Sequence, residues 1–508
     1  MEFQMATKIK SLKAKAKSMN DSTVVSGGVE KIPTGILGFD SILEGGVPKG
    51  RTLLITGSTG TGKTVFTNEF LYRGITEHNE PGVYVTFEEH PNDIIKNVRN
   101  FGWDFDSLIR QKMLIFVDAS PDKTPTRESG EYDLSALVER IRYAVSKVKA
   151  KRLAIDALSM LFSTFSNKEA IREVIYLICD ELKDLEVTSI ITAEKSGSQE
   201  NTLSRYGVEE FVADGVVELA LEPGQQQFLR KMFIKKMRGV GYRSGVAEFD
   251  ITNRGLEIFP KILIDRGVSK TDFKNREMFG IKGVDEAMGG GIPQGHMVLV
   301  SGNTGTGKTL FGMHFIVQGI KKGQTAIYIA LEEPIEQVKK TAREFGFDFD
   351  KYEKEGKLLF VCPNLIDMYN DKVLNEIVFA VNKIDARRVV IDSVSSLKSA
   401  TMDEESVRQF LIQVSEFFKN KGIACLMNFL SGSNFGAVKG QLLAALSPNM
   451  MRLSSIVDGI IVLLYVERGQ RVKRILNILK MRGSWHSNNI FQYEITKNGV
   501  VFGDRYEE

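Results

Sequence analysis

The sequence predicts an α/β protein made of two tandem domains, each with a mostly parallel β-sheet flanked by helices. The first observation behind this prediction is an eight-residue motif that occurs twice. The second is that the segments following each copy recur in the same order. The third is that short apolar strands alternate with helical segments of about 10 to 15 residues, which is the pattern of a parallel sheet covered on both faces.

The repeated motif has the glycine and lysine spacing of a P-loop. The first P-loop comprises Gly57, Ser58, Thr59, Gly60, Thr61, Gly62, Lys63 and Thr64. The second P-loop comprises Gly302, Asn303, Thr304, Gly305, Thr306, Gly307, Lys308 and Thr309. Such loops cradle nucleotide phosphates with backbone N–H groups, the lysine reaches the β and γ oxygens, and the hydroxyl of Thr64 or Thr309 ligates Mg²⁺. A glycine-rich turn without a ligand is the alternative, and two copies in matching contexts argue against it.

The recurring segments set the domain limits. We expect a polar tail at 1–30, a first domain at 31–260, a linker at 261–276 and a second domain at 277–508. The tail is rich in lysine, so a basic interaction arm is an alternative to a solvated tail.

Apolar runs place the strands within each domain. In the first domain we predict strands at 53–55, 82–87, 151–156, 188–192 and 249–252, and helices at 134–148 and 170–185. In the second domain the matching strands are predicted at 298–300, 326–331 and 387–392.

Acidic residues end the predicted strands at the same places in both domains. Asp156 and Asp392 each close a strand, where a carboxylate can hold the Mg²⁺ shell. Capping of the following helix is the alternative for both.

A pair of glutamates ends the strand that follows each P-loop helix. These are Glu88 and Glu89 in the first domain, and Glu332 and Glu333 in the second. A carboxylate there can orient or deprotonate the nucleophile that attacks the γ-phosphate. Acid pairs at solvated strand ends are also common without a function, but the recurrence favours catalysis. We also expect Glu332 to ligate Mg²⁺.

A Lys-Met-Arg triplet lies near the end of each domain. The triplets are Lys236, Met237 and Arg238, and Lys480, Met481 and Arg482. A lysine and an arginine two positions apart lie on one face of a strand. Each triplet can therefore clamp phosphates, in cis or from a neighbouring subunit. A basic turn before a final strand is the alternative.

The composition is that of an ordinary globular protein, with 43% apolar and 26% charged residues. A net charge of +3 argues against a broad nucleic-acid-binding surface. The cysteines Cys179, Cys362 and Cys425 lie in apolar runs, which favours reduced thiols. No apolar run is long enough to span a membrane, and residues 1–20 lack the apolar core of a secretion signal. We therefore expect a cytoplasmic protein.

These features together resemble KaiC, the family of circadian clock ATPases and kinases. The resemblance rests on the P-loops, the glutamate pairs and the segments 205–211 and 480–486, and it runs from about residue 31 to 505. It implies two RecA-like domains stacked as two rings of a homohexamer, with two ATP molecules per chain at subunit interfaces and with clamps that act in trans. The further nucleotide contacts that it implies are Asn100, Phe345, Arg474, Ser484, Trp485 and His486.

The resemblance also implies an ATPase in the first ring and a serine/threonine autokinase in the second, with a timing or signalling role. It points to Ser454 and Ser455 as phosphoacceptors, whereas the same register of the first domain, 208–215, offers no hydroxyl. Two serines that form a turn before the apolar run at Ile460 are the alternative.

Two expectations concern protein partners. Clock KaiC proteins carry a C-terminal tail that KaiA grips, whereas this sequence ends at Glu508, so control by KaiA is not expected. The segment 124–132 resembles the first-ring loop near which KaiB docks, so we expect a KaiB-like partner, with an ordinary surface loop as the alternative.

Two rival functions remain at this stage. A RecA- or helicase-like DNA-dependent ATPase would need basic loops rich in aromatic residues. The candidate loops, 195–204 and 431–440, offer only Lys195, Lys439 and Phe435 as obvious contacts. The other rival is a nucleotide-gated scaffold whose hydrolysis matters little.

Overall fold

The computed structural model describes residues 29–120, 134–158, 168–195, 212–223, 228–243, 245–262, 269–363, 370–399, 404–431, 453–468 and 470–507. The chain divides into two compact units, with the main boundary at Ile258–Phe259 and with the ends of the first-sheet strands at 222–223 and 228–229 grouped with the second unit. Several predictions concern residues outside these ranges: most of the N-terminal tail, the loop at 124–132, the segment 205–211, Lys439 and Phe435.

Strands and helices alternate in the first unit. Its helices are α1 (Phe39–Ile42), α2 (Lys63–His78), α3 (Pro91–Val98), α4 (Phe105–Arg110), α5 (Leu134–Val148) and α6 (Lys168–Asp184). Its strands are β1 (Lys31–Ile32), β2 (Val47–Pro48), β3 (Thr52–Gly57), β4 (Gly82–Thr86), β5 (Leu114–Asp118), β6 (Arg152–Asp156), β7 (Thr188–Glu194), β8 (Gly215–Pro223), β9 (Phe228–Met237), β10 (Val246–Thr252) and β11 (Gly255–Phe259).

The second unit repeats this order. Its helices are α7 (Lys282–Ala287), α8 (Lys308–Lys321), α9 (Ile335–Glu344), α10 (Phe349–Lys354), α11 (Asn370–Ile384), α12 (Ser396–Ser399) and α13 (Glu404–Lys421). Its strands are β12 (Asp272–Glu277), β13 (Ile292–Gln294), β14 (Met297–Gly302), β15 (Ala326–Ala330), β16 (Leu358–Val361), β17 (Arg388–Asp392), β18 (Ala424–Leu430), β19 (Gly459–Arg468), β20 (Arg471–Met481), β21 (Phe491–Thr496) and β22 (Gly499–Arg505).

Within the described residues, each unit contains a nine-stranded sheet. The order is β5-β4-β6-β7-β3-β8-β9-β10-β11 in the first and β16-β15-β17-β18-β14-β19-β20-β21-β22 in the second. The strands from β5 to β8 and from β16 to β19 pair in parallel. From β19 to β22 the second sheet is antiparallel, as are β9 and β10 in the first. The predicted α/β class with two tandem, mostly parallel sheets is confirmed.

Apolar residues cover both faces of the parallel strands, as expected for a sheet between two layers of helices. In β14, Leu299 belongs to one apolar core and the next residue, Val300, belongs to another. Leu54 and Ile55 divide in the same way in β3. The near-continuous apolar runs of the sequence therefore form strands that are buried on both sides.

A fully buried arginine ties the central sheet of each unit to the segment before its P-loop. The Arg388 Nη2 atom lies 2.6 Å from the Glu277 carboxylate, and Nη1 donates to the carbonyl of Met278. In the first unit, Arg152 pairs with Glu80 at 2.6 Å and donates to the carbonyl of Pro33. A charge is stable in such a place only when it is paired and hydrogen-bonded. Glu277 ends β12, so residues 272–276 of the predicted linker form a strand of the second unit.

Arg388→Ala should lower the free energy of unfolding of the second unit by about 3 to 5 kcal/mol, because it leaves the buried Glu277 carboxylate without its cation. The matched control is Arg387→Ala. The Arg387 side chain is half exposed and pairs with exposed Asp385, so this change should cost less than about 1 kcal/mol. Thiol labelling of buried Cys425 across a urea series reports unfolding of this unit. Equal midpoint shifts in the two variants would contradict the structural role of Arg388.

Candidate functional sites

Both P-loops connect the carboxyl end of a central parallel strand to the first turn of a helix. The first lies between β3 and α2, and the second lies between β14 and α8. The residue before each helix is a glycine in the left-handed region, Gly62 with φ 103° and Gly307 with φ 93°. Side chains rarely adopt this conformation, which explains the glycine at both positions. The arrangement directs helix N-terminal N–H groups toward a bound anion.

The P-loop lysines fold back onto their own loops. Lys63 Nζ donates to the carbonyls of Gly57 and Ser58, each at 2.9 Å. Lys308 Nζ donates to Gly302 and Asn303 at 2.9 and 3.0 Å. Burial lowers the pKa of both amino groups, and nearby carboxylates oppose that shift. A partly dehydrated ammonium group beside N–H donors is well suited to phosphate oxygens.

The second P-loop borders a cavity of about 300 Å³. This cavity brings together residues that the sequence predicted separately: Thr304, Gly305, Gly307, Lys308, Thr309, Glu332, Glu333, Phe345 and Asp392. It is of the size that small-molecule sites have. In the first unit, Asn100 lies in the 3₁₀ turn Arg99–Phe101 after α3.

The strand-ending aspartates are oriented by buried tyrosines. The Tyr84 hydroxyl donates to Asp156 at 3.0 Å, and the Tyr328 hydroxyl donates to Asp392 at 2.6 Å. Burial and the neighbouring aspartate raise the pKa of both phenols well above the usual value, so they stay neutral donors. Thr192 also donates to Asp156. These contacts hold one carboxylate next to each P-loop.

The glutamate pairs do not end strands as predicted but lie in the bends just after β4, which ends at Thr86, and β15, which ends at Ala330, beside the aspartates. Burial, followed by the charges of Asp156 and Glu194, raises the pKa of Glu88. Burial, followed by Asp392 and Glu332, raises the pKa of Glu333. A carboxylate with a raised pKa is a stronger proton acceptor, which suits a general base.

The other two glutamates are held by hydrogen bonds. Glu332 accepts a hydrogen bond from the Ser393 hydroxyl at 2.8 Å. Glu89 accepts from the Asn97 amide at 3.4 Å, and its carbonyl accepts from Thr86.

Sequence reasoning missed Glu194, which lies at the first site. It ends β7 opposite Gly57, and its carboxylate accepts a hydrogen bond from the Thr59 hydroxyl at 3.3 Å. The matching position in the second unit, opposite Gly302, is Leu430. The signal in the sequence was an acid at the end of a strand, the same rule that selected Asp156.

The Lys480 triplet and the predicted acceptor serines lie together at the other edge of the sheet. Lys480 Nζ donates to the carbonyls of Ser454 and Val457 at 2.5 and 2.7 Å. Arg482 donates to the carbonyl of Ser455 at 3.3 Å. These contacts hold the backbone of the acceptor segment beside the triplet.

Strand register shows how far this group lies from the P-loop of the same chain. Gly459 pairs with Met481 and with Val298 near the amino end of β14, whereas the P-loop follows Gly302 at the carboxyl end. In the first unit, Lys236 donates to the carbonyl of Ala213 at 2.8 Å, just before β8 begins.

The remaining predicted contacts are spread between these two edges. The Arg474 guanidinium lies at the second P-loop, where Nε is 3.4 Å from the carbonyl oxygen of Gly305. Ser484 accepts a hydrogen bond from Arg276 at 2.6 Å. Trp485 is 69% exposed and His486 is half-buried, both just beyond the Lys480 triplet. The structure thus places Arg474 with the P-loop and the other residues with the triplet.

The P-loop helix of each unit is held to the last hairpin by a different buried side chain. The Glu69 carboxylate accepts a hydrogen bond from the N–H of Leu256 at 2.7 Å. His314 Nε2 accepts from the N–H of Val500 at 3.0 Å. Burial raises the pKa of Glu69 to about 7 and lowers the pKa of His314 to about 4.

In the part of the chain that the structure describes, no group of three or more His, Cys, Asp and Glu side chains could hold a metal ion. No helix in the same part is long and apolar enough to cross a membrane.

The folds and the P-loops define a protein with two tandem P-loop domains. The family model described as "ATPase: KaiC" matches residues 32–262 and again 278–507. The chain belongs to the KaiC family.

Several curated relatives cover almost the whole chain. The circadian clock oscillator protein KaiC of Thermostichus vulcanus is 39% identical over 95% of this chain and 90% of its own. KaiC of Prochlorococcus marinus (strain MIT 9313) is 37% identical, over 94% and 93%. KaiC 1 of Synechocystis sp. (strain ATCC 27184 / PCC 6803 / Kazusa) is also 37% identical, over 96% and 92%. The predicted family membership is confirmed.

The contributions of Glu69 and His314 to stability should depend on pH in opposite directions. The folded pKa of Glu69 lies above its unfolded value, so its contribution to the stability of the first unit should fall as pH rises from about 4.5 to about 7. The folded pKa of His314 is depressed, so its contribution to the stability of the second unit should fall as pH drops from about 6.5 to about 4. Burial raises the pKa of Asp371 in the second unit to about 6, which acts in the opposite sense, so each contribution is read as the difference between a variant and the unmutated chain. Glu69→Gln should remove the first contribution and His314→Gln the second, each changing the free energy of unfolding by up to about 3 kcal/mol across its pH range.

Thiol labelling in a urea series reads the two units separately when peptide mass spectrometry identifies the labelled residue, because Cys179 is buried in the first unit and Cys425 in the second, whereas Cys362 is exposed. Each variant serves as the control for the other, since it should change the pH profile of its own unit only. An unchanged Cys179 profile in Glu69→Gln, or an unchanged Cys425 profile in His314→Gln, would contradict these assignments.

Proposed function

We propose that this chain is a KaiC-type enzyme that hydrolyses ATP in its first domain and phosphorylates its own Ser454 and Ser455 in its second. The active form is a homohexamer with two ATP molecules per chain at subunit interfaces, and its role is timing or signalling. The observation that carries this proposal is the contact of Lys480 and Arg482 with the backbone of the two serines. The basic residues proposed as a phosphate clamp and the two proposed acceptor serines are therefore in direct contact.

In the first domain the nucleophile is water. The N–H groups of the first P-loop and Lys63 hold the phosphates, and Glu88 or Glu89 accepts the proton of the attacking water. The raised pKa of Glu88 supports this role. Lys236, Met237 and Arg238 of a neighbouring subunit contact the same nucleotide.

In the second domain the nucleophile is a serine hydroxyl. The new bond joins Oγ of Ser454 or Ser455 to the γ-phosphorus, the bond from that phosphorus to ADP breaks, and the hydroxyl proton passes to Glu332 or Glu333. Lys308 holds the phosphates of the nucleotide.

Mg²⁺ bound with the nucleotide would neutralise phosphate charge. The residues that would hold it are Thr64 and Thr309 through their hydroxyls, with Asp156 in the first site and Asp392 and Glu332 in the second. The donor set fits Mg²⁺, which binds through one or two carboxylates and the phosphates rather than through a full protein cage.

The geometry of the sheet supports action between subunits. From Val298 to Gly302 the strand rises about 13 Å, at about 3.3 Å per residue. The acceptor segment lies at one end of that rise and the P-loop at the other. A closed ring brings the acceptor edge of one subunit to the P-loop edge of the next, because ring contacts join two different surfaces.

A DNA motor gains no support from the described residues. Lys195, a candidate DNA contact, forms an ion pair with Glu218 at 2.6 Å. The KaiB-like partner and the cytoplasmic location remain predictions.

Incubation of the full chain with Mg-ATP should add phosphate to Ser454 and Ser455, as read by intact mass and phosphosite mass spectrometry. Lys308→Ala should abolish the label, because the second site loses its phosphate-binding lysine. The matched control is the double change Glu88→Gln and Glu89→Gln, which should lower phosphate release by about 100-fold and leave the label in place. Unlabelled protein with intact ATP hydrolysis would contradict the autokinase.

A further inference from the structure

The terminal strands of each unit pack against its P-loop in the same register. A Cβ atom added at Gly62 would lie 2.8 Å from Cδ1 of Ile251, and one added at Gly307 would lie 2.8 Å from Cδ1 of Ile495. Ile251 and Ile495 are therefore equivalent. The residues two positions earlier, Phe249 and Tyr493, are equivalent as well.

This pair differs by one hydroxyl group, and that group touches the second P-loop. The Tyr493 hydroxyl donates a hydrogen bond to the carbonyl of Thr306 at 2.7 Å. Tyr493 is 1% exposed, and its ring packs edge-on against Phe311 in the P-loop helix. Phe249 is fully buried and carries no donor.

The bonded carbonyl belongs to the peptide that joins Thr306 to Gly307. A trans peptide is planar, so its C=O and N–H groups point in opposite directions. A hydrogen bond that fixes the Thr306 carbonyl toward Tyr493 also fixes the Gly307 N–H away from it. Gly307 lines the cavity beside Lys308 and precedes helix α8, where N–H groups bind phosphate.

A second tyrosine hydroxyl also approaches the second P-loop and has no counterpart at the first. A Cβ atom added at Gly305 would lie 2.8 Å from the Tyr465 hydroxyl, and the Arg474 guanidinium stacks over the Tyr465 ring at 5.5 Å. Within the described chain, nothing lies within 4 Å of a Cβ atom added at the equivalent Gly60. The equivalent of Tyr465 is Leu221, since Leu463 and Leu219 approach the two loops in the same way.

We infer that Tyr493 is a positioning residue of the second nucleotide site, which holds the Gly307 N–H ready for a nucleoside triphosphate. The first site lacks this device. The inference rests on the proposed function, because it assumes that the second P-loop binds ATP. Burial raises the pKa of Tyr493, so its hydroxyl remains a donor across the working pH range.

The test compares the two sites of the full chain separately. The Lys63→Ala variant leaves the second site and Lys308→Ala leaves the first, and each is titrated with a fluorescent N-methylanthraniloyl derivative of ATP. Tyr493→Phe should weaken binding about fivefold in the Lys63→Ala background, which corresponds to about 1 kcal/mol for one net hydrogen bond. It should leave affinity unchanged in the Lys308→Ala background.

A purely structural role of Tyr493 would shift the urea midpoint of Cys425 labelling without changing affinity at low urea. Unchanged affinity of the second site, or an equal loss at both sites, would therefore overturn the inference alone. No binding by the two parent variants would overturn the proposed function together with it. Tyr493→Phe gives the second site the ring that the first already carries at Phe249, so the variant is compatible with the fold.

Discussion

A parallel β-sheet has two unlike edges, and the organisation of both units depends on this polarity. The carboxyl ends of the strands carry the P-loop, the glutamate pair and the aspartate, since all of these follow strands that run in one direction. The amino end of the same sheet carries the Lys-Met-Arg triplet, because β20 runs antiparallel to β19 and brings the triplet back to that edge. In each unit, therefore, the P-loop and the Lys-Met-Arg triplet lie at opposite ends of the parallel strands.

The two units share the same arrangement of strands but differ in the side chains that surround the P-loop. Glu194 at the first site is replaced by Leu430 at the second, so one carboxylate is lost beside the P-loop. Ser393 supplies a hydrogen bond to Glu332, whereas the equivalent first-domain residue is Ala157. Changes of this kind alter the charge and the hydrogen bonding around the nucleotide while leaving the strands unchanged. They support the proposal that the two sites carry out different reactions.

Much of the fold could be predicted from the sequence, because buried parallel strands are apolar and the helices between them are long. The helix predicted at 134–148 agrees with α5, and the strand predicted at 82–87 agrees closely with β4. The charged sequence of residues 261–276 predicts a linker, yet residues 272–276 form most of β12. Only the fold reveals that Glu277 is buried against Arg388.

Within the candidate sites, too, some residues could be predicted from the sequence and others could not. The P-loop residues are recognisable because glycine and lysine are required at fixed spacing, and the acids because they end strands. The contact of Lys480 with the carbonyl of Ser454 is not visible in the sequence, since it depends on the strand register. The role of Tyr493 is likewise not visible in the sequence. It is inferred only from the hydrogen bond between the Tyr493 hydroxyl and the carbonyl of Thr306, which the fold reveals.

Action between subunits is tested most directly by phosphate transfer in mixed rings. Lys308→Ala subunits keep both serines, and Ser454→Ala/Ser455→Ala subunits keep the second P-loop, so neither should label itself. Co-expression with tags of different mass lets intact mass spectrometry read each subunit after incubation with Mg-ATP. Phosphate on the Lys308→Ala subunits of mixed rings is the predicted result. Mixed rings without label, alongside unmutated protein that labels itself, would contradict transfer between subunits.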